Sequence, residues 1–154
     1  MLKTQTRDTN VCTIKEMMEL CVQREVIGVR GEDAILPCLF HHNEGNNTSE
    51  LVFILYKGND FIYDSMSRSK GRIQTVGNPS EGDGTVRIID LKMEDEGTYG
   101  CGFRFKKLGD QEFTTIFMNK ERRSELRVHG MFLIFFFLFS FIRQTLTENE
   151  NCVK

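Results

Sequence analysis

The sequence predicts an all-β domain, and three observations support that prediction. Short apolar runs rich in β-branched and aromatic residues recur between residues 22 and 129. Clusters of Gly, Asn, Asp and Ser, which tolerate turn conformations, separate these runs. Cys38 and Cys101 stand in runs whose alternation places both cysteines on an apolar face. Many short strands with frequent turns are typical of a sandwich or a barrel.

Composition allows one domain with short flanking segments and argues against several classes of function. The chain has 154 residues and a net charge of −2, from 20 Lys and Arg against 22 Asp and Glu. Nucleic-acid binders normally carry a basic excess, so we expect no nucleic-acid partner. The chain has no recognisable nucleophile–base pair or phosphate loop. The sequence therefore predicts neither an enzyme nor a cofactor site.

Nine strands are predicted within a domain spanning residues 22–129. Their ranges are 22–29, 33–40, 51–56, 61–64, 73–76, 85–89, 98–105, 114–117 and 124–129. Each is bounded by residues that favour turns, as expected for a chain that reverses direction repeatedly.

The strands around Cys38 and Cys101 are the most specific signal. Leu36, Cys38 and Phe40 share one face of the first strand by alternation, and Tyr99 and Cys101 share one face of the other. Cysteines on the buried faces of two strands predict a disulfide between packed sheets. A Tyr two residues before the second Cys predicts a tyrosine corner. This combination predicts an immunoglobulin-type sandwich.

A further pair of residues predicts the variable type of that sandwich and has a structural role, whereas Leu55 marks a divergence from the usual pattern. Arg72 opens a strand and Asp95 precedes Tyr99 by four positions, as in variable-type domains, where such a pair closes one end of the sandwich. The segment between the first cysteine strand and Arg72 leaves room for extra edge strands. Leu55 stands where a buried Trp usually packs on the disulfide.

The N-terminal residues 1–21 are predicted to be a poorly ordered extension. They contain no apolar run of signal-peptide type. Cys12 and Cys21 lie here, and we expect unpaired thiols because neither short metal-ligand spacing nor a nearby His is present. Residues 13–20 could form two turns of helix. His41 and His42 point to opposite faces of a strand, so no metal site is predicted there.

Residues 130–142 form a hydrophobic segment, and a polar tail follows at 143–154. The uninterrupted apolar stretch is short for the roughly 30 Å hydrocarbon core of a bilayer. Three interpretations remain: a short or partial transmembrane helix, an incomplete gene model, or a segment that docks on a partner. Cys152 in the tail has no predicted role.

Three stretches resemble the sialic-acid-binding immunoglobulin-type lectins: GEDAILPCLFHH at 31–42, GRIQTVGNP at 71–79 and TVRIIDL at 85–91. The resemblance covers about residues 25–128. It implies an outermost variable-type domain on a membrane receptor, with an Arg directly after the second Cys binding the sialic-acid carboxylate. This chain has Gly102 there. Arg104 lies two residues along on the same outward face, beside Lys106, and is the candidate for a shifted site.

We therefore predict a cell-surface recognition or adhesion protein that binds a ligand through its outward sheet face. Residues 51–56, 103–107 and 114–117 would line that face. The ligand is either a protein or a sialylated glycan on another cell. Asn46 and Asn47 both satisfy the glycosylation rule. A disulfide requires an oxidising compartment, so we expect a membrane-anchored or secreted chain and attribute the missing signal peptide to an incomplete or misassigned first exon. The alternative is a cytosolic chain with reduced thiols.

Overall fold

The computed structural model describes residues 10–15, 18–42, 48–67, 71–113, 115–118, 123–130, 138–140 and 142. Within these ranges the chain forms twelve strands and two short 3-10 turns, at Pro79–Glu81 and Met93–Asp95. In chain order the strands are β1 Asn10–Lys15, β2 Met18–Gln23, β3 Glu25–Val29, β4 Ala34–Leu36, β5 Cys38–His42, β6 Thr48–Lys57, β7 Asp60–Asp64, β8 Ile73–Thr75, β9 Val86–Ile88, β10 Gly97–Lys107, β11 Thr115–Met118 and β12 Ser124–His129.

The strands form two layers, as the predicted sandwich requires. One layer is a six-stranded sheet in the order β3-β12-β10-β6-β7, with β11 also pairing with β10. The other contains two separate three-stranded sheets, β1-β2-β5 and β4-β9-β8, which the chain joins at Pro37 between β4 and β5. Pro37 has no N–H to donate to a ladder, which explains why the predicted strand 33–40 is divided there.

The first predicted strand, 22–29, changes sheets. β2 pairs antiparallel with β5 in one layer, whereas β3 pairs parallel with β12 in the other. The change occurs at a bend at Arg24. Two hydrogen bonds hold it: the Ser124 hydroxyl donates to the Gln23 carbonyl at 2.5 Å, and the Glu125 N–H donates to the Arg24 carbonyl at 2.8 Å. One continuous segment thus connects both layers.

Aromatic side chains from both layers fill the space between them. Phe40 stacks on Phe103 with 5.0 Å between ring centroids, and Phe53 meets Phe103 edge-on at 5.6 Å. All three side chains are buried. Gly84 lets the chain run close over this cluster, because a Cβ there would lie 2.2 Å from the Phe53 ring. Burial of such rings is a main source of stability in this fold.

The predicted disulfide between the layers is confirmed. Cys38 in β5 and Cys101 in β10 are bonded, and both are almost fully buried. Leu55 lies opposite Cys101 in the register and is itself buried. A cavity of about 10 Å³ adjoins the bond, lined in part by Leu36, Leu55 and Tyr99. The isobutyl group of Leu55 therefore occupies the place of the usual indole and leaves only a small void.

The prediction for the N-terminal segment was wrong where the structure describes it. β1 and β2 form an antiparallel hairpin in which Cys12 is directly opposite Cys21, and these two cysteines are disulfide-bonded. Cys12 and Cys21 are therefore not unpaired thiols, and the described residues of the predicted helix, 13–15 and 18–20, lie in strands. The physical reason is burial: Val11, Leu20 and Val22 turn inward and extend the core. The apolar alternation of Leu20 and Val22 favours a strand over a helix.

Several predicted features lie largely outside the described residues. Asn46, Asn47, Cys152 and most of the segment 130–142 are among them. Within that segment, Leu138–Ser140 and Ile142 are helical and exposed. The part of the chain that the structure describes contains no helix both long and apolar enough to cross a bilayer.

Candidate functional site

The Arg72 and Asp95 side chains form a two-pronged ion pair at one end of the sandwich. The Arg72 nitrogens donate to the two Asp95 carboxylate oxygens at 2.7 and 2.8 Å, and Arg72 also donates to the carbonyls of Ile89 and Asp90. The Lys92 N–H donates to the same carboxylate at 2.8 Å. The hydrogen bond from Arg72 holds the pKa of Asp95 below its ordinary value. The Arg72 and Asp95 charges therefore neutralise each other within the domain.

Tyr99 closes the same end of the domain as a tyrosine corner. Its hydroxyl donates to the backbone carbonyl of Asp95 at 2.6 Å, and its ring is buried between the layers. Burial raises the pKa of the Tyr99 phenol to about 12, so the hydroxyl stays protonated and keeps its donor role. Arg72, Asp95 and Tyr99 therefore stabilise the fold. A ligand-binding site is to be sought on the outer face of the six-stranded sheet.

The candidate site is the outer face of the six-stranded sheet, formed by β6, β7 and β10. Across β6 and β10, Val52 is opposite Arg104 and Ile54 is opposite Gly102. Tyr99 and Cys101 point inward, so alternation turns these four residues outward. Val52 and Ile54 are nevertheless only 1% and 4% exposed. Val52 and Ile54 therefore form an apolar layer on the outer side of the sheet, and other side chains cover it.

Arg104 lies across that apolar layer. Its guanidinium stacks over the Phe113 ring at 4.7 Å, and one nitrogen lies 3.9 Å from the Met66 sulfur. Its Nε is buried without a hydrogen-bond partner. Among the described residues no carboxylate comes within ion-pair distance of Arg104. Arg104 thus differs from Arg72, because its charge is held in place by an aromatic face and a thioether and keeps the capacity to bind an anion.

Aromatic and thioether side chains extend the face towards β7. Tyr56 and Phe61 are directly opposite each other in the β6–β7 hairpin, and their rings meet edge-on at 6.0 Å. Phe61 and Met66 are 55% and 52% exposed. The Asp64 carboxylate accepts the Met66 N–H at 2.9 Å and so fixes the start of this loop. We name this set the aromatic–arginine cluster: Tyr56, Phe61, Met66, Arg104 and Phe113.

The structure brings some predicted site residues together and adds others. Gly102, Arg104 and Lys106 share the outward side of β10, with Gly102 buried. Phe61 lay in a predicted strand but was not predicted as a site residue, and Met66 and Phe113 lie in connecting segments. The local signal for Phe61 was an aromatic residue directly after a tight hairpin turn. Met66 and Phe113 have no local signal, because only chain folding brings them to Arg104.

The lower part of the outer face is covered by Arg123. Its guanidinium donates to the Gly58 carbonyl at 2.6 Å. A Cβ added at Gly100 would lie 3.7 Å from the Arg123 side chain. Arg123 therefore covers β10 at the level of Gly100, which is opposite Tyr56, and Arg104 lies further along β10.

Comparisons with known proteins agree with this architecture. The chain is 31% identical over 99 residues to the human sodium channel regulatory subunit beta-2, covering 54% of this chain and 46% of the relative. It is 33% identical over 93 residues to rat myelin protein P0, covering 51% and 37%. The chain thus spans less than half the length of either relative. Neither is a sialic-acid-binding lectin, so that finer resemblance stays a prediction.

A solved structure of murine CRIg is similar in fold, with a TM-score of 0.52 and 22% identity over 73% of this chain and 98% of that one. Residues 22–119 match the model of the immunoglobulin V-set domain. Domains of this type are typical of cell-surface recognition and adhesion proteins and are typically not enzymes. Because the match covers well over half of the sequence, this chain belongs to the immunoglobulin V-set family.

Proposed function

We propose that this chain is a cell-surface recognition domain that binds a protein partner through the outer face of its six-stranded sheet. The observation that carries the proposal is the aromatic–arginine cluster. It combines a charged guanidinium having no carboxylate partner among the described residues with apolar side chains on the same sheet face. Met66 and Phe113 contact Arg104, and the Tyr56–Phe61 pair lies further along β6 and β7.

The residue types of the cluster are those that dominate protein interfaces. Tyr, Phe, Met and Arg are enriched at interface cores, and a few of them usually supply most of the binding energy. Phe61 and Met66 leave about half of their surface in water, which is unfavourable in a free domain. Binding of a partner that covers Phe61 and Met66 removes their apolar surface from water, which contributes favourable free energy to the complex.

The position of Arg104 indicates the chemistry of the partner. Arg104 is opposite the buried Val52, its guanidinium lies against the Phe113 ring and the Met66 sulfur, and its Nε is shielded from water. A carboxylate brought there would meet planar donors in a partly desolvated place, where an ion pair is stronger than in open solvent. We infer that the partner presents an acidic side chain flanked by apolar residues.

The relatives support a partner on a membrane. One is called a regulatory subunit of a sodium channel and another a myelin protein. The buried Cys38–Cys101 disulfide needs an oxidising environment, which favours the outside of the cell. The proposal is therefore recognition of a membrane protein on the same or a neighbouring cell.

The experiment measures binding of the full chain, coupled to beads, to intact cells. Phe61→Ala and Arg104→Ala should each lower binding by about tenfold or more if they are central contacts. Ile35→Ala and Arg87→Ala are the matched controls, because both lie on β4 and β9 in the opposite layer. Equal losses for the controls, or full binding by both cluster variants, would contradict the proposal.

A second candidate ligand is a sialylated glycan, favoured by the guanidinium of Arg104 without a carboxylate partner among the described residues. A sialic-acid carboxylate could use the same two donors that a protein carboxylate would. Treatment of the cells with neuraminidase separates the two ligands. Loss of binding after treatment favours the glycan, whereas unchanged binding together with sensitivity to Phe61→Ala favours the protein.

A further inference from the structure

The β1–β2 hairpin carries a group of side chains that the recognition face does not use. Cys12 and Cys21 are opposite each other on the outer surface of the hairpin, because their neighbours Val11, Leu20 and Val22 point inward. Glu19 lies two residues before Cys21 and so shares that surface. The two sulfurs and a Glu19 carboxylate oxygen all lie within 4.8 Å of one another.

We propose that the dithiol form of this hairpin is a binding site for Zn²⁺, with Cys12, Cys21 and Glu19 as ligands and water in the fourth position. Thiolate sulfur and carboxylate oxygen are both ordinary zinc ligands, and three protein ligands with one open position is a common arrangement. In the disulfide form the sulfurs are bonded to each other and the site is closed. The oxidation state of the hairpin then decides whether the ion binds.

The geometry of the hairpin suits the ion after reduction. Tetrahedral zinc with sulfur bonds of about 2.3 Å needs its two sulfurs about 3.8 Å apart. The Cys12 and Cys21 Cα atoms are 4.1 Å apart, so rotation of the side chains reaches that separation with no change in backbone register. Glu19 supplies a negative charge that favours a cation over an empty pair of thiols.

The backbone around the site does not depend on the disulfide alone. β1 pairs with β2 over six residues, and β2 pairs with β5 over five. Leu20 and Val22 are buried in the main core. These contacts keep Cys21 and Glu19 in place when the sulfur–sulfur bond is opened.

Access distinguishes this disulfide from the other one. Cys12 and Cys21 are partly exposed, whereas Cys38 and Cys101 are 2% and 4% exposed. Exchange requires a thiolate to reach a sulfur atom, so a reductant attacks the hairpin first. A dithiol donates two electrons and two protons, opening the Cys12–Cys21 bond and becoming a disulfide itself. Zinc binding then releases the two thiol protons to solvent as the ion bonds to both sulfurs.

The first measurement maps the reduced cysteines in the full chain carrying Cys152→Ser, which removes the remaining thiol. The folded protein is treated briefly with a dithiol and then with an alkylating reagent, and the adducts are located by mass spectrometry. We expect adducts on Cys12 and Cys21 only. Adducts on neither, or on all four cysteines together, would overturn the proposal, since no separate dithiol state would exist.

The second measurement is a calorimetric titration with Zn²⁺ after removal of the reductant under nitrogen. The reduced chain should bind one ion, and the oxidised chain should bind at least about tenfold more weakly. Glu19→Gln should weaken binding by about tenfold, while Glu32→Gln, an exposed carboxylate in a distant turn, should not. Equal binding by both redox forms, or no effect of Glu19→Gln, would refute this ligand set.

A third measurement guards against loss of the hairpin in the variants. Co²⁺ replaces Zn²⁺ and absorbs in the near ultraviolet when it bonds to thiolate. The reduced chain should show this band, and Cys12→Ser should lose most of it with an unchanged far-ultraviolet circular dichroism spectrum. A band that persists at full intensity in Cys12→Ser would place the ion elsewhere and overturn the site.

Discussion

The two disulfides of this chain occupy opposite physical situations. Cys38–Cys101 joins two layers, closes a sequence separation of 63 residues and is buried beside Leu55. Cys12–Cys21 joins adjacent strands of one hairpin, closes a separation of nine and is partly exposed on an outer surface. The first bond holds the tertiary structure together, whereas the second reinforces a pairing that strand register already defines.

This difference shows why chemistry and stability lie in different parts of the domain. Groups between the layers are satisfied by partners within the protein, as Asp95 is by Arg72 and Lys92. Groups on the outer surfaces are less completely satisfied: the Arg104 Nε has no hydrogen-bond partner among the described residues, and the Cys12–Cys21 disulfide is partly exposed. The following experiments test that contrast, from the largest expected effect to the smallest.

Removal of each disulfide separately is the most direct test. In the chain-entropy model, Cys38→Ala with Cys101→Ala lowers the free energy of unfolding by about 4 kcal/mol, and Cys12→Ala with Cys21→Ala by about 2.5 kcal/mol, because the second loop is shorter. Urea denaturation of both double variants measures the difference. A larger loss from the hairpin pair would reverse the comparison.

Truncation of apolar side chains compares packing in the two regions. Leu55→Ala should lower the free energy of unfolding by about 3 kcal/mol, because it enlarges the void beside the buried disulfide. Val11→Ala in the hairpin removes less buried surface and should cost about 1 kcal/mol. Leu55→Trp should also destabilise, by about 1–3 kcal/mol, because the existing cavity is too small for an indole. Thermal unfolding distinguishes these outcomes, and a stabilising Leu55→Trp would contradict them.

Acid should weaken the sandwich through Asp95. Folding lowers the pKa of Asp95 below its ordinary 3.8, chiefly through the Arg72 hydrogen bond, so the unfolded chain binds the proton more tightly. The stabilisation is complete above that pH and is lost as the pH falls through the lower pKa of the folded state. Asp95→Asn should flatten this acid dependence and cost about 1–3 kcal/mol at neutral pH, since Arg72 is one-third exposed. Denaturation between pH 2 and pH 7 gives the profile, with Asp33→Asn as a control of similar charge.

The smallest effects concern single polar or exposed groups. Tyr99→Phe removes the hydroxyl that donates to the Asp95 carbonyl and should cost about 1 kcal/mol. Ile14→Ser changes a hairpin side chain that is 74% exposed and should alter the free energy of unfolding by less than about 0.5 kcal/mol. Chemical denaturation resolves the two. Equal effects would mean that the hairpin is as tightly packed as the tyrosine corner.

Sequence patterns were sufficient to predict those parts of the fold that depend on the alternation of neighbouring side chains. The alternation around Cys38 and Cys101 and the Tyr two residues before Cys101 predicted the sandwich and its disulfide, because a side-chain period of two directly specifies the buried face. Leu55 was placed against the disulfide because immunoglobulin domains usually have a Trp at that position of the strand, and the structure places it there. The hairpin was missed because the spacing of Cys12 and Cys21 does not by itself show that they pair, and the alternation of Leu20 and Val22 alone is too short to specify a partner strand.

The sequence by itself therefore determined the sandwich class, the inner faces of the strands around Cys38 and Cys101 and the central disulfide, since strand alternation and cysteine placement are properties of neighbouring residues. Only the tertiary structure decided which distant groups meet. Met66 and Phe113 reach Arg104 from two separate connecting segments, and β5 provides the edge on which β2, and then β1, can pair. Such meetings depend on chain reversal and burial of the whole domain, which no local pattern encodes.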